Sequence, residues 1–80
     1  MIYCIGDRFI NSIDGQEHIL SYHGKGRVAL TNLNTGMWWE TAKKVKNIKA
    51  VTESELDKIG GYTFKIKDDM VKNPVIKERI

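Results

Sequence analysis

Cysteine is nearly absent. Cys4 is the only one in 80 residues, so no internal disulfide can staple the chain, and a cytoplasmic setting is the expectation. Histidine is limited to His18 and His23, with no cysteine or paired carboxylate close by, which is not the spacing of a zinc site. Long apolar runs are missing too. Met1-Ile2-Tyr3-Cys4-Ile5 is too short for a membrane span or a signal peptide, and no basic stretch precedes it. Within that run Cys4 reads as a small buried hydrophobe rather than a nucleophile. Charge of one sign is not in large excess: 13 Lys and Arg against 10 Asp and Glu leave a net +3. That permits nucleic acid or an acidic protein as partner and demands neither. His23-Gly24-Lys25-Gly26 lacks the longer spacing, the Lys-Ser or Lys-Thr pair and the following helix of a phosphate loop. It reads as a β-turn with a cationic tip, with Lys25 and Arg27 as a weaker phosphate contact. The expectation is a protein that is not an enzyme and holds no cofactor or metal.

A chain of this length makes one domain with a small core, which disfavours a deep enclosed site. It is organised around residues 17–41, read as three strands at 17–22, 26–33 and 37–41. In the first, His18, Leu20 and Tyr22 share one face, with Glu17, Ile19 and Ser21 on the other. Asp14-Gly15 marks the turn before it. Asn34-Thr35-Gly36 predicts a type I turn over 33–36 with Gly36 at positive φ. That register sets Leu30 opposite Trp39 and Thr31 opposite Trp38, and gathers Val28, Leu30, Met37 and Trp39 on one face. A three-residue loop would shift the pairing but still keep the two tryptophans apart. Adjacent strand residues face opposite ways, so Trp39 is assigned to the core and Trp38 to the outer face. There Trp38 is either part of a satellite cluster or an exposed partner contact.

Lys43, Lys44, Lys46 and Lys49 follow with no acid among them and a bend expected near Asn47. They read as a solvated edge strand whose lysines discourage strand pairing, or as a surface for nucleic acid or an acidic protein. Thr52-Glu53-Ser54-Glu55 is a capping box opening a short helix near 53–59. Capping accounts for both glutamates without a catalytic role. Leu56 and Ile59 share its buried face, and Gly60-Gly61 ends it. Tyr62, Phe64 and Ile66 alternate with Thr63, Lys65 and Lys67 as a half-buried strand. Residues 1–69 form the domain. Pro74 argues against a continuous helix in the remainder, and residues 70–80 read as an edge strand, a cover over Trp38, a dimer contact or a partly disordered tail.

Five or six short antiparallel strands with one short helical segment point to a mainly β, small, strongly bent barrel. Gly6-Asp7-Arg8-Phe9, Asp14-Gly15, Ile19-Leu20, Val28-Ala29-Leu30, Thr35-Gly36, Trp39 and Thr52-Glu53-Ser54-Glu55-Leu56 resemble small SH3-like barrel proteins of bacteria and their phages. The resemblance covers about the first 60 residues. It implies binding rather than catalysis, and an accessory role. The expected function is a protein-interaction or accessory module, with Trp38, Lys43, Lys44, Lys46 and Lys49 as the contact residues. Weak, sequence-independent nucleic-acid binding through 43–49 is the alternative. The expected state is a monomer or weak homodimer away from membranes. Clustering of the lysines with Arg27 or Trp38 would favour nucleic acid, and scattering would disfavour it.

Overall fold

Alternation of apolar and polar residues, broken by glycine turns, yields a mainly β protein. The computed structural model describes residues 1–39, 41–60 and 63–66. Strand β1 (Ile2–Tyr3) ends at a turn in which Gly6 takes φ 100° and Asp7 N–H donates to Cys4 C=O at 3.0 Å. Strand β2 (Arg8–Asn11) then pairs antiparallel with β3 (Glu17–Tyr22), Phe9 facing His18. Their link is the predicted Asp14-Gly15 turn, with Gly15 at φ 73°. β3 pairs in turn with β4 (Arg27–Asn32), Leu20 opposite Leu30.

Four elements complete the fold: β5 (Lys43–Lys44), β6 (Val51–Thr52), helix α1 (Glu53–Lys58) and β7 (Phe64–Ile66). The five-stranded antiparallel sheet runs β5-β4-β3-β2-β7, and β1 pairs with β6 in a second, two-stranded sheet. Among the described residues there are thus seven short strands rather than five or six, and the two sheets do not close into a barrel. One core serves both sheets: Tyr3, Phe9, Leu20, Val28, Leu30, Val45, Val51 and Phe64 pack with Leu56 of α1 and with Ile59, its C-cap residue. The capping box forms as read. Thr52 accepts the Glu55 N–H, and the Glu55 carboxylate accepts the Thr52 N–H. Phe64 is buried, Ile66 partly so and Lys65 exposed, which is the expected alternation. Tyr62, Gly61, Lys67 and the 70–80 segment lie outside the described residues.

Three expectations fail. Cys4 is exposed, not buried: of the opening apolar run only Tyr3 enters the core, because β1 is a two-residue strand with one inward position. Of the strand expected at 37–41, the described residues form a bridge between Thr31 and Trp38, and Glu40 lies outside them. Trp39, assigned to the core, is 41 % exposed, against 51 % for Trp38 and 72 % for Met37. The register explains this. Trp38 N-terminal to the break pairs with Thr31 and Lys43 beyond it with Val28, so the chain takes five steps where β4 takes three. The extra residues break the alternation beyond Trp38: Trp39 N–H still donates to Leu30 C=O at 2.7 Å, but Leu20, Leu30 and Phe9 fill the core without the indole. The pairing of Thr31 with Trp38 and the positive φ of Gly36 (78°) are as expected.

Candidate functional site

The residues singled out above fall along one edge of the sheet, then diverge. Trp38 continues the hairpin closed by Gly36, whose N–H donates to Asn32 C=O at 2.8 Å. Its ring meets His23 edge-on, 4.3 Å between centroids, whereas the Trp39 ring meets Phe64 at 5.6 Å. The two indoles therefore do part, as adjacent strand residues must. Beneath Trp38 lies a polar cluster that no sequence spacing announced. The Ser21 hydroxyl lies 2.6 Å from that of Thr31, 3.1 Å from His23 Nε2 and 3.0 Å from Ala29 C=O, to which it donates. Through His23, whose ring meets the indole edge-on, this cluster adjoins Trp38.

Lys43 and Lys44 make up β5 at the edge of the sheet, with Arg27 directly opposite Lys44. Both line an open hollow of about 430 Å³ together with Glu55 and Lys58 of α1. Lys58 was not among the sequence candidates. It sits in the last helical turn, where a lysine is explained by the helix dipole alone, and nothing in chain order ties it to β5. Lys46 lines a neighbouring depression with Asn47, Ala50, Thr52 and Glu55. The bend expected at Asn47 is present: its side chain accepts the Lys49 N–H at 2.9 Å. That bend carries Lys49 towards β1, where its carbonyl lies 3.5 Å from Cys4 Sγ.

The electrostatics of the hollow are set by Glu55. Its carboxylate accepts the backbone N–H groups of Lys46 (2.9 Å) and Thr52 (3.1 Å). The Lys46 bond first, then that from Thr52, holds its pKa below the ordinary value. Three lysines against this one carboxylate leave the hollow with a net positive lining. Lys65, by contrast, stands on β7, the edge strand opposite β5 in the order β5-β4-β3-β2-β7.

Comparison with protein-family models, curated proteins and solved structures finds no match. The surface alone carries the functional reading. Among the described residues, no three His, Cys, Asp or Glu side chains gather as a metal site would require, and no helix is long and apolar enough to cross a membrane.

Proposed function

We propose that this chain is a non-enzymatic interaction module, an accessory protein whose small SH3-like β fold presents one sheet edge to a protein partner. One observation carries the reading. Trp38 and the Lys43–Lys44 strand border the same side of β4, opposite Thr31 and Val28, about 10 Å apart along the strand. An exposed indole flanked by Met37 and bounded by lysines has the make-up of a contact patch: an aromatic anchor with a charged rim. Lys46 lines the neighbouring depression, and Lys49 lies towards Cys4. The bacterial and phage resemblance supports an accessory role. Separation of Lys65 from Lys43 and Lys44 favours a protein over nucleic acid, which would reward a continuous basic track.

The test is affinity capture from the native cell with wild-type and Trp38→Ala baits, followed by titration of the captured protein in purified form. Trp38→Ala should weaken that affinity about tenfold or more while the far-ultraviolet spectrum is unchanged. Equal affinity of both baits would remove Trp38 from the site. Arg27 beside Lys44 also gives a local pair of cations, so weak binding to single-stranded DNA is expected at low salt and should vanish at physiological ionic strength.

A further inference from the structure

The edge beside Trp38 has a backbone as well as side chains, and the register fixes which way that backbone points. Val45 N–H donates to Gly26 C=O at 2.8 Å, and Lys43 pairs with Val28. In an antiparallel ladder, bonded and non-bonded pairs alternate. Lys44, between them and opposite Arg27, therefore directs its N–H and C=O away from β4. Two residues on, the Lys46 N–H falls on the same outward side, and Glu55 Oε2 meets it at 2.9 Å. A carboxylate oxygen from α1 thus already occupies the place that a neighbouring strand's carbonyl would take. Between β5 and α1 the hollow holds the exposed side chains of Lys43, Lys44 and Lys58.

We infer that the partner engages this edge as an extended acidic peptide, which adds as a further strand beside Lys44 and sets its carboxylates among Lys43, Lys44 and Lys58. This rests on the reading of the chain as a protein-binding module and names the chemistry of what it binds. One feature selects a peptide over nucleic acid. Lys44 offers both a donor and an acceptor, which a peptide main chain satisfies and a phosphodiester, an acceptor only, does not. The same lysines that repel a second basic edge attract a strand carrying alternate glutamates, so they set specificity as well as solubility.

The probe is a fluorescein-labelled alternating Glu-Val octapeptide, with three controls: its Lys-Val counterpart, the Glu-Val peptide N-methylated at alternate residues, and a single-stranded oligonucleotide of equal charge. Anisotropy titrations with the full chain at physiological ionic strength should show binding of the Glu-Val peptide alone. That binding should fall about tenfold in Lys44→Glu and in Lys58→Glu, and it should be lost on N-methylation. Amide hydrogen exchange should show the Lys44 N–H becoming protected in the complex. If the oligonucleotide binds as tightly and N-methylation changes nothing, the edge is a polyanion surface and the inference is overturned. If the peptide binds but Lys44 stays unprotected, it is overturned likewise. Absence of peptide binding alongside Trp38-dependent capture of a native protein would reject this inference and leave the module reading standing; failure of both would reject both.

Discussion

At one edge of the five-stranded sheet, β7 turns Phe64 into the core, where its ring lies 4.6 Å from His18 and 5.6 Å from Trp39. At the other edge, β5 is two lysines long and both side chains are exposed. Both are short edge strands of one sheet, and they are used in opposite ways. β7 covers the end of a core too small to cover itself, so its alternation is strict. β5 owes its place to Val45, which is buried just beyond it, and to the Glu55 carboxylate that holds the Lys46 amide. Its own side chains bury nothing and are free for recognition. An edge strand that closes a core leaves little to present to a partner; one pinned from its flanks leaves nearly everything.

Breaking the β7 edge should have the largest effect. Phe64→Ala removes a side chain 7 % exposed and should cost about 3–5 kcal/mol, enough to unfold much of so small a domain. A urea melt against wild type measures it; a loss under about 1 kcal/mol would mean that β7 closes nothing. Trp39→Ala should come next, at about 2 kcal/mol, since its indole is only partly covered and leans on Phe64. Trp39→Ala made in the Phe64→Ala background should cost less than on its own, because the two rings share a contact.

The β5 side should respond more weakly and, at one position, in the opposite direction. Lys25, in the turn feeding β4, holds φ 54° between two glycines that are also at positive φ. Lys25→Gly relieves a conformation disfavoured for side chains and should raise stability by about 1 kcal/mol; an unchanged melt would show that the turn tolerates the lysine freely. Glu55 adds a pH signature. Its folded pKa lies below the unfolded one, so its contribution is present above the ordinary carboxylate range and disappears as pH falls through the depressed folded value. Stability between pH 7 and pH 3 should decline less steeply in Glu55→Gln than in wild type. The smallest expected effect is the most diagnostic one. Lys43→Ala and Lys44→Ala should shift stability by no more than about 0.5 kcal/mol while reducing partner affinity. A large stability loss from either would erase the contrast between the edges.

Local chemistry made much of this legible in advance. Gly36 follows a polar turn that needs positive φ, Thr52 and Glu55 form a reciprocal cap within four residues, and Phe64-Lys65-Ile66 alternates in and out. Each of these is decided by neighbours in the chain. The pairing of Thr31 with Trp38 belongs with them, because a hairpin's register follows from its own turn. The burial of Trp39 and Cys4 was misread for the complementary reason. Period-two patterning says which residues share a face, but not whether the strand lasts long enough for that face to be covered. The mismatch in register between Trp38 and Lys43 and the two-residue length of β1 interrupted both patterns early.

The candidate site divides along the same line. The opposite facing of adjacent strand residues marked Trp38, the run of lysines marked Lys43, Lys44, Lys46 and Lys49, and the phase mismatch of Val45 with Ile48 asked for a bend near Asn47, which the structure makes with the Asn47 side chain accepting the Lys49 N–H. Only the tertiary structure could separate them, by carrying Lys49 towards Cys4 and bringing Lys58, distant in sequence, up to Lys43 and Lys44. Sequence determines torsional preference, alternation and caps, since these act over a few bonds. Which side chains meet across a hollow depends on where strands stop and which element packs beside them. That is set by competition for a core whose apolar area is limited, and no single stretch of this chain contains that information.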